Sequence, residues 1–421
     1  MSSLNLQHDR HDRSAAEMAA PTHAMQYLLP IIAMGNFAAG LTSRVIDPVV
    51  PQISQQLAVN ITTAATLASA SAIAFAFVQL PLGMVADLFG KPKVILTCLV
   101  ILGLANIVGS FTDSFELLLV TRVICGLGAG GVFPVAMGLT GDLFPVEQRR
   151  VAMSRIMAGA LTGNLLGASF SGVLGDLAGW RGVLSILGCA ILVISLAVAW
   201  GFRNQLTLPG KPVDPKVIAA NYRRILSHPN ARLCYLGVFT EGICIFGMLP
   251  FVASFLQELG EPRLSIAGLV IGGYAVGGLF YAATVKRLLA RFSDNRLMVV
   301  GATFISSQIA IVAFGPPWQV QFLNFAVMGC GFYLIHGGFQ VYTSEIAPDA
   351  RASAVSLQAF CFNCGQFSGP LLYGFGLTVA GKLPTLLTGA ALLLSVGLLC
   401  AKLLHHRHPP DVGLIENQES V

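Results

Sequence analysis

Long apolar runs separated by short polar breaks organise the chain. A helix needs about 20 apolar residues to cross roughly 30 Å of hydrocarbon. Runs of about that length stand at residues 26–46, 62–86, 94–111, 115–140, 151–176, 182–202, 233–257, 264–289, 297–315, 319–343, 352–379 and 384–404. They predict twelve membrane-crossing helices. Most connections are short, as a compact bundle requires, and the longest covers residues 203–232. The expected order is a polar tail (1–24), a six-helix bundle (25–202), a linker (203–232), a second six-helix bundle (233–404) and a second tail (405–421).

Composition narrows the class. Of 421 residues, 55% are hydrophobic and 11% charged, where a soluble domain carries about 25% charged residues. Mean hydropathy is +0.73. A soluble fold cannot hide so much apolar surface, and disorder is excluded for the same reason. The nine cysteines fall almost entirely within apolar runs and read as buried free thiols. Cys361 and Cys364 have no second CxxC pair, so no metal site is read. The run His8, Asp9, Arg10, His11, Asp12, Arg13 is read as a solvated tail in preference to a metal-binding one. The first apolar run is a full span long, unlike a cleaved signal peptide.

The basic residues set orientation. With the N-terminus inside, 20 of the 25 Lys and Arg fall on the cytoplasmic side, and only Arg181, Arg263 and Lys382 lie opposite. Basic residues concentrate in cytoplasmic loops, so both termini are expected in the cytoplasm and the protein in the inner or plasma membrane. The net charge of +5 therefore reports topology, and no nucleic-acid partner is expected.

The chain also repeats. Asp142, Pro145, Arg149, Ala152 and Ser154 recur as Glu345, Pro348, Arg351, Ala354 and Ser356, offset by 203 and then 202 residues. The register continues as Gly163 and Gly167 meet Gly365 and Gly369. Six-span repeats of like orientation imply two parallel halves about an axis along the membrane normal, with a site between them.

Residues 83–93 carry Gly83, Asp87, Gly90, Lys91 and Lys93. They resemble the loop between spans two and three of the major facilitator superfamily, written GxLaDrxGrkr, with Leu88 at a commonly basic position. Arg122, Gly126, Gly128 and Gly130 resemble that superfamily's RxxxGxG stretch in span four. Gly159, Gly163, Gly167 and Gly172, before Trp180 and Arg181, resemble the antiporter signature GxxxGPxxGG of drug/proton exporters. Ala168 replaces its Pro and Ser171 the first of its paired glycines. The resemblance implies an all-α fold of twelve spans in two pseudo-symmetric halves, and places Gly83, Asp87, Gly90, Lys91, Asp142 and Arg149 in a conformational gating loop.

An ionisable group in hydrocarbon costs about 2.5–3.5 kcal/mol on insertion scales, so each one is a functional hypothesis. Arg44 and Asp47 stand three residues apart on one helical face. At 1.5 Å per residue, Arg44 lies about 27 Å from the cytoplasmic start of its span, and Arg122 about 10 Å below the outer surface. A tilted helix could bring Asp47 and Arg122 together. Asp47, Pro48 and Pro51 also resemble multidrug exporters with a first-span acid four residues before a Pro. Asp47 is thus a proton-coupling candidate tuned by Arg122, against the alternative of a structural ion pair. Glu241 lies about 13 Å into its span, with no Lys or Arg at that depth in the second half. It is read as an uncompensated acid for a cation or a proton, against a permanently protonated Glu bonded to a neighbour. His336 is a further candidate, against a satisfied packing histidine. Asn36, Arg44, Tyr274, Tyr333, Gln340, Asn363 and Gln366 could line the cavity, although each alone is more often interhelical glue.

A phosphate loop is approached only at Gly376, Gly381 and Lys382, where Leu383 stands in place of the magnesium-binding Ser or Thr. No enzyme motif occurs in a usable context, and no cofactor is called for. The expected function is secondary active transport: proton-coupled export of a small organic compound by alternating access, by a monomer in a lipid bilayer. The alternatives are proton-coupled uptake of an organic acid or sugar, and a receptor or scaffold that moves nothing.

Overall fold

In lipid every backbone polar group must be satisfied within its own segment, which leaves the helix as the unit of construction here. The computed structural model describes residues 23–144, 146–203, 215–347 and 350–404. Residues 1–22 of the first tail with its 8–13 run, the second tail 405–421, and Pro145 and Pro348 of the repeat lie outside the described residues.

The first half comprises α1 (His23–Thr42), a 3-10 turn Asp47–Val49, α2 (Val50–Gln56), α3 (Ile61–Phe89), α4 (Lys91–Ser110), α5 (Phe115–Leu143) and α6 (Val146–Gly201). Asn60 and Ser114 cap α3 and α5 by accepting from Thr63 N and Leu117 N. Gly179, at φ 68°, folds α6 into spans five and six. The second half comprises α8 (Pro229–Glu241), a π-helical stretch Gly242–Phe246, a 3-10 turn Leu249–Phe251, α9 (Val252–Glu258), α10 (Leu264–Leu289), α11 (Asp294–Ala313), α12 (Trp318–Ile346), α13 (Arg351–Val379) and α14 (Lys382–Leu403). Ten described stretches are long and apolar enough to cross a membrane, and one of them, Arg155–Gly201, is the folded pair. The span that completes the twelve is the eleventh, α13, whose Gln358, Asn363 and Gln366 dilute its apolar character.

Two features depart from the sequence pattern. The linker holds a helix, α7 (Pro215–Ser227). The first span does not end at 46 but breaks there and continues to Gln56. The seventh span breaks in the same way, and Pro48 and Pro250, each second in its 3-10 turn, are 202 residues apart. The repeat therefore includes a broken helix in each half.

Glycine contacts repeat as well. A Cβ on Gly163 would fall 2.2 Å from the Phe37 carbonyl oxygen of span one, and one on Gly365 2.1 Å from that of Phe239 in span seven. Lipid offers no hydrophobic drive between helices, so such close backbone approach is what holds each half together.

The halves do not meet evenly along their length. We call the end bearing His23, Gly90 and Leu404 the terminal end, and the end bearing Gln56, Gly179 and Leu259 the far end. One hydrophobic core runs through the second half and into the far end of the first, through Val49, Ile53, Leu67, Trp180 and Leu184. A separate core, with Ile32, Leu82, Ile95, Leu139 and Phe202, belongs to the first half alone. The halves are joined at the far end and part towards the terminal end.

Candidate functional site

Between the halves lies a cavity of about 300 Å³ lined from spans one, two, four and five on one side and seven, eight, ten and eleven on the other. Broken spans supply its most charged wall. After α1 ends at Thr42, the chain turns before the 3-10 turn at Asp47, and Ser171 of span five donates to the Val45 carbonyl to hold that break. Arg44 is thereby aimed into the cavity. Its Nη1 lies 3.7 Å from Asp47 Oδ2, beyond hydrogen-bond length. Its Nη2 donates to Gln366 Oε1 of the other half, and its Cζ sits 4.2 Å over the Phe246 ring. Asp47 is 1% exposed, and its Oδ2 has no hydrogen-bond partner among the described residues.

Arg122 lines the same cavity, but its direct partner is not Asp47. Its Nη1 donates to Asn106 Oδ1 of α4 at 3.1 Å, while Nε and Nη2 have no hydrogen-bond partner among the described residues. The break in span one explains the difference, because it turns Arg44 back onto Asp47 within one turn of chain.

Of the two alternatives for Glu241, the structure shows the bonded one: it is fully buried, and its Oε2 lies 2.8 Å from His336 Nδ1 of α12. Neither residue is part of the cavity lining. His336 stacks on Phe332 with centroids 4.8 Å apart, and Phe332, with Phe246 and Phe362, forms the cavity's aromatic wall. The pair stands one layer behind that wall.

Of the remaining expected lining residues, Tyr274, Tyr333, Asn363 and Gln366 reach the cavity. The buried Tyr274 hydroxyl has no partner among the described residues, and Gln366 donates to Asn363 Oδ1 at 3.3 Å. Asn36 does not reach it; buried in α1, it donates to Ile32 O at 2.9 Å. Gln340 is exposed and away from the cavity. Sequence reasoning missed Asn164, which lines the cavity and stands beside the motif glycine Gly163. It also missed the rings of Phe246, Phe332 and Phe362, three of 26 Phe with nothing in the pattern to mark them.

At the terminal end, Gly90 takes φ 93° to turn α3 into α4, and Lys91 Nζ meets Asp142 Oδ2 at 2.5 Å. The side chains of Gly83, Asp87 and Arg149 lie outside the described residues. At the far end, Asp176 of span five accepts from Leu264 N and Ser265 N at 2.9 and 2.8 Å, capping α10 of the other half. Beside it Arg263 donates to both oxygens of Glu261, at 2.7 and 2.6 Å, and these hydrogen bonds hold the Glu261 carboxyl below its ordinary range.

The model of the Major Facilitator Superfamily matches residues 32–370 and 262–420. The chain is 26% identical over 358 residues to the purine ribonucleoside efflux pump NepI of Escherichia coli O127:H6, covering 83% of this chain and 87% of that protein. It is 24% identical over 353 residues to NepI of Escherichia coli K12, with 83% and 87% covered. Two crystal structures of a bacterial homologue of the human lysosomal transporter Spinster share the fold. The inward-facing unoccupied form matches with TM-score 0.73 at 18% identity, over 91% of this chain and 98% of that one. The inward-facing occupied form matches with TM-score 0.69 at 19% identity, over 91% and 95%.

Proposed function

Because the chain belongs to the Major Facilitator Superfamily, and is a multi-pass membrane transporter, we propose that it exports small heteroaromatic compounds of the purine nucleoside type in exchange for protons. The observation that carries this reading is the cavity itself: an aromatic wall faces a buried carboxylate and guanidinium across the line where the halves meet. Aromatic faces stack on a planar base, while Asp47, the Tyr274 hydroxyl, Asn164 and Asn363 offer hydrogen bonds to a base edge or a sugar. The relatives named as purine ribonucleoside efflux pumps support the same class of cargo and the outward direction.

Asp47 is the proton carrier in this reading. Its carboxylate attracts Arg44 across 3.7 Å; a proton on Asp47 removes that attraction and leaves Arg44 held by Gln366 and Phe246 of the other half. Proton binding thus leaves one cation with its contacts between the halves and without its attraction inside the first half, which is the kind of differential interaction that shifts a two-state equilibrium. The halves then rock about the site, in the inner membrane with both termini cytoplasmic.

Radiolabelled adenosine in liposomes tests the reading. A pH gradient is expected to drive adenosine accumulation by the wild type, and Asp47→Asn to reduce that driven flux by about tenfold or more while adenosine binding persists. Undiminished gradient-driven flux in Asp47→Asn would remove Asp47 from the mechanism. In cells, accumulation that rises when an uncoupler is added marks export, and accumulation that falls marks uptake.

A further inference from the structure

The second half holds an ionisable pair that the exchange described above does not use. Glu241 closes α8, and the π-helical stretch Gly242–Phe246 follows at once. π-Helical turns cluster at functional positions because they re-aim the side chains around them. Here Glu241 at the start of the stretch meets His336, and Phe246 at its end meets Arg44.

We propose that Glu241 and His336 form a second proton-binding pair, set behind the aromatic wall of the cavity. The inference rests on the proton-coupled reading of the same site. Three observations support it. The pair is built, with Oε2 and Nδ1 at 2.8 Å. It is incomplete, since Glu241 Oε1 is buried with no hydrogen-bond partner among the described residues. It also has one open edge, because the His336 side chain keeps 20% of its surface exposed while that of Glu241 keeps none.

The proton balance is simple. With carboxylate and neutral imidazole the pair carries one negative charge; one added proton, taken by the Glu241 carboxylate, makes it neutral. A net charge within hydrocarbon is costly, so the pair keeps its proton while enclosed and gives it up when water reaches His336. Among the described residues, Tyr274 of α10 and Cys400 of α14 also interact with Glu241. On the side of α13, Gly242 meets the backbone of Phe362, Gly365 and Gln366. The charge state is read at the cavity through rings in contact. His336 lies 4.8 Å from Phe332 and 5.2 Å from Phe362. Phe246 lies 5.6 and 5.3 Å from the same two rings, and Arg44 lies over Phe246. A proton bound in the second half therefore acts on the same guanidinium that a proton on Asp47 releases in the first.

The test uses the full-length protein in liposomes. Infrared difference spectra between acid and alkaline buffer record each carboxyl group that changes protonation, with no transported compound needed. Wild type is expected to show a carboxyl band that Glu241→Gln removes, that His336→Asn moves to a different pH, and that Asp47→Asn leaves in place. If Glu241→Gln removes no titrating band, the pair is a structural one and the inference is overturned, while the band lost in Asp47→Asn leaves the exchange reading standing. If Asp47→Asn removes no band but Glu241→Gln does, the role given to Asp47 fails and the second pair survives. In gradient-driven adenosine flux, Glu241→Gln is expected to flatten one limb of the pH profile that Asp47→Asn retains. A packing defect would lower the whole profile without changing its shape, and that outcome counts against the proposal.

Discussion

The two ends of this transporter are held in different ways. At the far end the halves meet backbone against backbone. A Cβ on Gly172 of span five would fall 2.3 Å from the Leu264 carbonyl oxygen of α10, and one on Gly268 of α10 2.5 Å from that of Ala168. Asp176 adds two hydrogen bonds from one half to the helix start of the other. Towards the terminal end the first half keeps a core of its own, and an ion pair there, Lys91 with Asp142, lies within that half. Close-packed surfaces are bistable and do not yield by degrees. A gate made of fitted glycines is therefore open or shut, whereas one made of exposed charges can be trimmed in small steps.

The strongest way to break this contrast is to fill the far-end fit. Gly172→Ala places a methyl group against backbone that cannot rotate away, and parting the halves is the relief available. Overpacking costs about 1–3 kcal/mol, so the closed population at the far end should fall by roughly five- to 150-fold. Spin labels at Leu177→Cys and Leu259→Cys, exposed far-end positions on opposite halves, would record a longer distance. An unchanged distance distribution would mean that the far end gives locally and is no rigid gate.

Removing the cap is a gentler change. Asp176→Ala frees Leu264 N and Ser265 N, and losing a helix cap costs about 1 kcal/mol, or roughly fivefold in a two-state population. The same label pair should shift in the same direction, by less than in Gly172→Ala. Asp176→Asn, which keeps one accepting oxygen, should fall between Asp176→Ala and wild type. If Asp176→Ala moved the distance further than Gly172→Ala did, electrostatics and not fit would be closing the far end.

How much of this was legible in the sequence follows from what lipid demands. The spans and their repeat stood out, because crossing hydrocarbon leaves little choice of residue and close helix contact requires glycine at fixed spacing. The break in span one was not read, although Pro48 and Pro250 carry the repeat's 202-residue offset. A Pro near a span end also suits an ordinary helix terminus, so it marks no break by itself. Arg44, Asp47, Arg122 and Glu241 announced themselves by the cost of burying charge. Their partners did not. Glu241 and His336 are 95 residues apart, and a depth estimate along one helix says nothing about which face meets which neighbour. Phe246, Phe332 and Phe362 were invisible for a different reason: a ring that lines a cavity and a ring that faces lipid look alike in a sequence.

The smallest effect belongs to the terminal-end ion pair, and it sharpens the contrast most finely. The Lys91 and Asp142 side chains are 21% and 63% exposed, and a pair so open to solvent is worth about 0–1 kcal/mol and weakens with salt. Both residues belong to the first half, so Asp142→Asn loosens span three from span four without directly favouring either arrangement of the two halves. The far-end label distance should change less than in Asp176→Ala, and the residual change should vanish in molar salt. A larger shift that survives salt would show the reverse: that Asp142 meets the second half when the terminal end closes, and that this end too is gated by fitted contacts and not by charges in water.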